Sequence, residues 1–169
     1  SYDFYLALHS NGSTNGSGEG TVRGVIAFYY PTSANGRRAA DIFVQGLKEI
    51  YPLPDKVYTM ATTTLGEVRQ PYMPSVLLEL GYHDNTADAL WVENNIQAIA
   101  ENLVQSLTTY FGLPFITPLT PWQGTVQTPQ GGSLNLRAAP GTRADVVALL
   151  PDGAKVTVYG RYQEWYTVG

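Results

Sequence analysis

Two polar side chains lie at the ends of apolar stretches, where they could take part in chemistry. Glu79 interrupts the short Val- and Leu-rich run Ser75–Leu80, which Gly81 closes. A carboxylate in a covered strand costs several kcal/mol unless a partner compensates it, and a metal, a metal-bound water or a reacting substrate would be such a partner. The structural alternative is that Glu79 pairs with an arginine or caps a loop.

The second such side chain is His9, at the end of the apolar and aromatic segment Phe4–His9. Residues 10–20 are dense in glycine and cannot continue a regular element, so they predict a mobile surface loop. A histidine at a strand end beside such a loop is placed as a metal ligand or a general base would be. The structural alternative is a histidine that is bonded to the backbone.

The elements that must position these residues follow an α/β pattern. Apolar runs bounded by turn residues predict three core strands and one edge strand, at Phe4–His9, Val22–Tyr30, Ser75–Leu80 and Lys56–Tyr58. Two amphipathic helices are also predicted. The first is capped by Ser33 or Asn35, and the second runs from Asn85 or Thr86 to Tyr110.

The sequence predicts two domains and a linker. Residues 1–112 should form a mixed or mainly parallel sheet with flanking helices. Residues 113–122 contain three prolines, which remove backbone donors and stiffen the chain, so they predict a semi-rigid linker. Residues 123–169 show short alternating strands separated by Pro-Gly and Pro-Asp-Gly turns, which is typical of a small all-β barrel. Because the chain stops on its last predicted strand, we expect this barrel to be clipped at its C-terminus.

Composition excludes several classes of partner and site. Charged residues make up 14% of the chain and the net charge is −4, so there is no basic surface for nucleic acid and no polybasic membrane patch. No apolar run approaches the roughly 20 residues that span a bilayer. Cysteine is absent, so any metal must be held by histidine and carboxylate ligands.

The order of the motifs resembles a known family. Leu8–Asn11 before a glycine-rich loop, and Val76–Asn85 before a long final helix, are similar to the C-terminal part of the catalytic domain of zinc-dependent N-acetylmuramoyl-L-alanine amidases of bacteria and phages. Likewise, Leu134–Pro140, Leu150–Gly153 and Trp165–Tyr166 resemble the bacterial SH3-like domains that are appended to cell-wall enzymes.

This resemblance implies a secreted peptidoglycan hydrolase that acts at the cell wall, as autolysins and endolysins do, and cleaves the amide between N-acetylmuramic acid and L-alanine. In the family, two histidines and a glutamate hold zinc, and a further glutamate works on the metal-bound water. His9 matches the second histidine ligand and Glu79 the catalytic glutamate. Asn11 matches a residue next to the ligand histidine that orients the loop or forms a local turn. His83 lies in the turn after Glu79, as a substitute ligand, a substrate contact or a solvent-facing residue.

The chain departs from the family pattern in its zinc ligands. The family's first histidine ligand and its glutamate ligand precede anything in this sequence, so two of three zinc ligands are absent. We therefore expect the chain alone to hold zinc weakly or not at all and to have little activity. We also expect the sheet edge without the earlier strands to pair with another chain, to refold or to self-associate.

Two other functions remain open. One is a noncatalytic wall-binding protein, whose SH3-like part grips peptidoglycan through aromatic side chains: Tyr159, Tyr162, Trp165 and Tyr166. Trp165 is equally suited to the core of the barrel. The other is a peptidoglycan carboxypeptidase that shortens the stem peptide with a site built from His9, Glu79 and His83.

Overall fold

The structure, a computed structural model, describes residues 2–14 and 18–169. The chain divides into two compact units, of which the first ends at Leu113 and the second comprises Pro114–Gly169. Across the described ranges, no helix is both long and apolar enough to cross a membrane.

The first unit alternates strands with helices. Its strands are β1 (Tyr5–Asn11), β2 (Val25–Tyr29), β3 (Val57–Ala61) and β4 (Ser75–Tyr82). Its helices are α1 (Ala34–Ile50), α2 (Gly66–Arg69), α3 (Thr86–Asn94) and α4 (Ile96–Phe111), and a 3₁₀ turn at Pro54–Lys56 precedes β3. The predicted α/β class is therefore confirmed.

The four strands form one mixed sheet in the order β1-β4-β2-β3. β1 runs parallel to β4 and β2 runs parallel to β3, whereas β2 and β4 are antiparallel. In the described sheet β1 is an edge strand, and it pairs in regular register with β4 from Tyr5 to His9. Pairing of this edge with another chain stays a prediction.

The two faces of the sheet are covered by different helices. On one face α1 and α4 close the main core, whose fully buried side chains include Val25, Phe43, Leu47, Val76 and Leu78. On the other face Ala7 and Leu77 pack with Val68 of α2. Because side chains alternate along a strand, His9 and Glu79, two positions further on, lie on this second face.

The predicted helices match the structure at their starts but not along their whole length. α1 begins after Ser33, whose Oγ accepts a hydrogen bond from the Gly36 N–H at 3.1 Å. The second predicted helix is split into α3 and α4 at Asn95, where the backbone has φ −126° and ψ 20°. Asn95 Nδ2 donates to the carbonyl of Trp91 at 2.7 Å. Such side-chain bonds to the backbone compete with continuous helix, which explains the break.

The second unit is all-β. Its strands are β5 (Thr117–Thr125), β6 (Ser133–Arg137), β7 (Val146–Pro151), β8 (Lys155–Tyr162) and β9 (Trp165–Val168). An antiparallel sheet has the order β5-β8-β9, and β6 pairs antiparallel with β7. A 3₁₀ turn at Pro129–Gly131 precedes β6. The predicted class of this part is confirmed.

The predicted linker over 113–122 differs from the structure at residues 117–122, which belong to β5. Pro118 pairs with Gly160 and Trp122 with Val158, with an irregular register between the two pairs. β5 lies at the edge of its sheet, where proline is tolerated because no neighbour needs its missing N–H. Pro118 and Pro121 therefore lie in an irregular edge strand, and a linker over residues 113–116 stays a prediction.

Candidate active site

His9 and Glu79 lie side by side on neighbouring strands. They are register partners across the parallel β1–β4 pair, and Ile26 of β2 is opposite Glu79 on the other side. Partners in register project from the same face of a sheet. The fold therefore brings together the imidazole and the carboxylate that the sequence singles out, on the face that carries α2.

The carboxyl group of Glu79 lacks a bonded partner in the part of the chain that the structure describes. The side chain is half-buried, and its Oε2 is buried without a hydrogen-bond partner among the described residues. Burial raises the pKa of Glu79, while the nearby His9 and His83 lower it and Glu67 raises it further. Within the described chain, neither an arginine partner nor a loop cap accounts for this carboxylate, which favours a chemical role over a structural one.

His83 contacts the C-terminal end of β1, just beyond His9. Its Nδ1 lies 3.2 Å from both Oγ and the carbonyl oxygen of Ser10, so it donates to the carbonyl in one tautomer and accepts from the hydroxyl in the other. The ring also lies against Gly12, where an added Cβ would be 3.1 Å from Nε2. The Nδ1 contact leaves Nε2 available, and the imidazole remains exposed. His83 thus ties the end of β1 to the turn after Glu79.

Asn11 makes a local contact, since its Oδ1 accepts a hydrogen bond from the Gly12 N–H at 2.9 Å. This geometry fits the local turn among the predicted roles. Among the described residues, His83 and His9 do not belong to any group of three His, Cys, Asp or Glu side chains that could hold a metal ion. The roles of Asn11 and His83 toward a substrate stay predictions.

Asp84 holds one end of the glycine-rich loop. Its Oδ2 accepts hydrogen bonds from the backbone N–H of Ser13 at 2.7 Å and of Thr14 at 2.6 Å. Desolvation acts to raise the pKa of Asp84, but these bonds outweigh it and lower the pKa to about 2. The prediction of a mobile loop lies, for residues 15–17, outside the described residues.

The other end of the loop is held by the same turn. The Gly20 N–H donates to the carbonyl of Asp84 at 2.6 Å, and Asn85 Nδ2 donates to the carbonyl of Gly20 at 2.7 Å. Glu19 accepts hydrogen bonds from both the backbone N–H and the hydroxyl of Thr86. The described parts of the loop are therefore anchored beside the His9–Glu79 pair.

Asp88 is a fully buried carboxylate that joins the segments behind the site. It accepts hydrogen bonds from Tyr51 Oη at 2.6 Å, Arg23 Nε at 2.8 Å, and the backbone N–H groups of Gly24 and Tyr82 at 3.1 Å. Burial alone would raise the pKa of Asp88, but these bonds lower it. Sequence reasoning missed this residue, and the only local signal was its place in the first turn of a helix.

The residues present do not provide a complete catalytic zinc site. Catalytic zinc in proteins has three protein ligands and one open position. Within the described ranges, no group of three His, Asp or Glu side chains is arranged to hold a metal ion. The His9–Glu79 pair therefore does not fit zinc by itself, although its residue types are those that zinc uses.

Comparisons with known proteins assign both parts of the chain. Residues 1–109 match the N-acetylmuramoyl-L-alanine amidase family, and residues 132–169 match the bacterial SH3 domain family. A comparison with curated protein sequences gave no significant match.

Several solved structures share the fold of the first unit. The CwlD amidase of Clostridioides difficile, solved with the GerS lipoprotein, is 17% identical with a TM-score of 0.58, over 65% of this chain and 55% of its own. The amidase AmiC2 of Nostoc punctiforme is 20% identical with a TM-score of 0.55, and the match covers 65% of this chain and 58% of AmiC2. The catalytic domain of the endolysin CD27L, which targets Clostridia difficile, is 24% identical with a TM-score of 0.53. The match covers 64% of this chain and 55% of that domain. The chain thus spans little more than half the length of these structures.

Proposed function

Since the chain belongs to the N-acetylmuramoyl-L-alanine amidase family through residues 1–109, we propose that the protein is a peptidoglycan hydrolase that cleaves the amide between N-acetylmuramic acid and L-alanine. The observation that supports this most directly is the pairing of His9 with Glu79 in register, with a buried Glu79 oxygen that lacks a hydrogen-bond partner among the described residues. We place this activity at the cell wall, outside the cell.

In the proposed reaction Glu79 moves the proton. Its carboxylate accepts a proton from the attacking water as the water oxygen adds to the carbonyl carbon of the amide. The same group then donates that proton to the departing nitrogen as the C–N bond breaks. The products are a lactyl carboxylate and a free L-alanine amine. A carboxyl whose pKa is raised by burial is suited to both steps, because it holds and releases a proton nearer to neutral pH.

The cofactor implied by the family is zinc, which would polarise the carbonyl and lower the pKa of a bound water. His9 is the residue of this chain that we propose as a ligand. Because the described residues assemble no group of three His, Cys, Asp or Glu side chains that could hold a metal ion, we propose that this chain alone holds zinc weakly or not at all and turns over slowly.

Mass analysis of digested peptidoglycan tests the proposed function. We expect slow release of intact stem peptides that carry a new L-alanine amine, and we expect Glu79→Gln to abolish it. Glu93→Gln, which alters an exposed carboxylate on α3, is the matched control and should keep the native rate. Shortened stem peptides would show a carboxypeptidase instead. An absence of any product, with walls still bound, would show a noncatalytic wall-binding protein.

A second role, wall binding, is proposed for residues 114–169. These residues include the bacterial SH3 match, and two of their tyrosines, Tyr159 and Tyr166, are exposed. Tyr162 and Trp165 are half-buried, so they offer less free surface to a ligand than Tyr159 and Tyr166 do. Sedimentation with purified walls tests this role, and a full-length chain that stays in the supernatant would contradict it.

A further inference from the structure

An exposed cluster of two aromatic rings and a guanidinium lies on the three-stranded sheet of the second unit. Trp122 comes from β5, Arg161 from β8 and Tyr166 from β9, so each of three adjacent strands contributes one side chain. The rings of Trp122 and Tyr166 meet edge to face with centroids 6.3 Å apart, and Arg161 Cζ lies 5.8 Å from the Tyr166 ring centroid. We call these three residues the aromatic cluster.

The aromatic cluster is not part of the core of its unit. Trp122 is 48% exposed and Tyr166 is 49% exposed, whereas Val126 and Val158 are buried at 6% and 3%. Large aromatic side chains and arginine are the residue types that carry most binding energy at protein surfaces. An ordered edge-to-face pair presents its area at little cost in conformational entropy, so it is suited to a flat aliphatic ligand face.

The positive charge of Arg161 at the aromatic cluster favours ligands that carry a carboxylate. Among the described residues no carboxylate lies within ion-pair distance of Arg161, and Glu164 in the next turn is not bonded to it. Arg161 Nε donates to the Gln163 carbonyl at 2.5 Å, which orients the guanidinium and leaves its terminal nitrogens free. Arginine is the residue that best binds a carboxylate through two parallel hydrogen bonds.

The wider charge balance agrees with an anionic ligand. The whole chain has a net charge of −4. Residues 114–169 instead carry four basic against three acidic side chains, namely Arg137, Arg143, Lys155 and Arg161 against Asp145, Asp152 and Glu164. The second unit therefore has a formal net charge of +1, whereas residues 1–113 have a formal net charge of −5.

We propose that Trp122, Arg161 and Tyr166 form a binding site for peptides that bear a free carboxylate, in this setting the stem peptides of peptidoglycan. The inference rests on the proposed wall-binding role. The rings would contact aliphatic side chains of the peptide while Arg161 pairs with its carboxylate. A neutral glycan has no carboxylate to pair with Arg161, so the guanidinium favours a stem peptide over a glycan as the ligand.

Calorimetric titration of the full chain with soluble stem peptides tests this site. Arg161→Gln should weaken binding by about tenfold, the usual effect of losing a charge-assisted hydrogen bond. Arg143→Gln, at an exposed arginine of the same unit, should bind as the native chain does. Stem peptides whose carboxylates have been converted to amides should bind the native chain about tenfold more weakly, with no further loss in Arg161→Gln.

The two rings are tested by substitution with a matched control. Tyr166→Ala and Trp122→Ala should each weaken binding by about tenfold, whereas Tyr58→Ala, at a tyrosine of β3 that is 41% exposed, should not. Trp122→Phe keeps an aromatic ring and should keep affinity within about threefold, which separates loss of the site from loss of the fold. Circular dichroism checks that each variant is folded.

Three results would overturn the proposal: native affinity in Arg161→Gln, an equal loss in Tyr58→Ala, or tighter binding of neutral N-acetylglucosamine oligomers than of stem peptides. These titrations require no amide hydrolysis. A chain that binds stem peptides but releases none from peptidoglycan would therefore contradict the proposed hydrolase and leave this site intact. A chain that releases stem peptides from peptidoglycan but does not bind soluble stem peptides would contradict this site alone.

Discussion

His9 and Glu79 are register partners on the parallel strands β1 and β4, so one imidazole and one carboxylate lie side by side on the same face of the sheet. Neither residue is part of the hydrophobic core, and the buried Oε2 of Glu79 has no hydrogen-bond partner among the described residues. The stability of the fold should therefore depend little on either side chain.

We expect His9→Ala and Glu79→Ala each to change the free energy of unfolding by less than about 1 kcal/mol, as is usual for side chains outside the core and its networks. Urea denaturation measures this change. Leu77→Ala, on the same strand and face as Glu79 and 1% exposed, is the matched control and should cost about 2–5 kcal/mol. A loss of several kcal/mol at His9 or Glu79 would show that these are structural groups.

In contrast to His9 and Glu79, Asp88 should contribute strongly to the stability of the fold. Its carboxylate is fully buried and bonds to Tyr51, Arg23 and two backbone N–H groups. Asp88→Ala leaves these donors without their acceptor, so we expect it to cost roughly 3 kcal/mol or more in urea denaturation. Asp41→Ala removes an exposed carboxylate, 4.0 Å from Arg37, and should cost less than about 1 kcal/mol. Similar costs for the two would contradict this account.

The pH dependence of the free energy of unfolding should also show the contribution of the Asp88 carboxylate. The folded-state pKa of Asp88 is lowered from its ordinary value of 3.8, so its contribution is fully present above pH 3.8 and is lost as pH falls below that value. Asp88→Ala should therefore unfold with a flatter dependence on pH in the acid range than the native chain. Parallel acid profiles for the two proteins would contradict the assignment.

Local patterns in the sequence predicted the positions of the sheet strands, Ser33 as one of two candidate caps of α1, and the α/β and all-β classes, because these depend on residues close together in the chain. They could not predict β5. Trp122 becomes part of a strand only because it pairs with Val158, and the prolines around it locally favour a linker. The break between α3 and α4 at Asn95 was also not predicted, because the apolar residues on both sides of it recur at helical spacing.

The site was predictable in its two central residues and not in their surroundings. His9 and Glu79 stand out as polar groups at apolar strand ends, and strand pairing brings them together. Asp84 and Asp88 form their bonds with residues 71 and 65 positions earlier in the chain, Ser13 and Arg23. No local pattern marks such partners, because the contact exists only after the loop has folded onto the turn.

Asp84 should control the order of the glycine-rich loop. Its carboxylate binds the N–H groups of Ser13 and Thr14, so we expect Asp84→Ala to speed hydrogen exchange at these two amides by at least about tenfold. Exchange at Leu77 and Leu78 in the core strand should stay unchanged. Faster exchange across the whole sheet would instead mean that the turn is needed for global stability.

The titration of Asp84 gives a second measure of the same contact. Its pKa is lowered to about 2, so the stabilisation it provides is present above its ordinary pKa of 3.8 and is lost as pH falls through about 2. The carboxyl ¹³C shift of Asp84 should therefore still report the ionised form at pH 3. A midpoint near 3.8 would show that the loop bonds are absent in solution.

Zinc titration tests how far the His9–Glu79 pair can act as a metal site in this chain. Because the described residues assemble no group of three ligands, we expect calorimetry to show no equivalence point at one zinc per chain. His9→Ala should then give the same heats as the native chain, and removal of metal with a chelator should leave the melting temperature unchanged, since a ligand that does not bind cannot stabilise the fold. A stoichiometric end point that disappears in His9→Ala would show that the chain completes a zinc site with ligands that this conformation does not bring together.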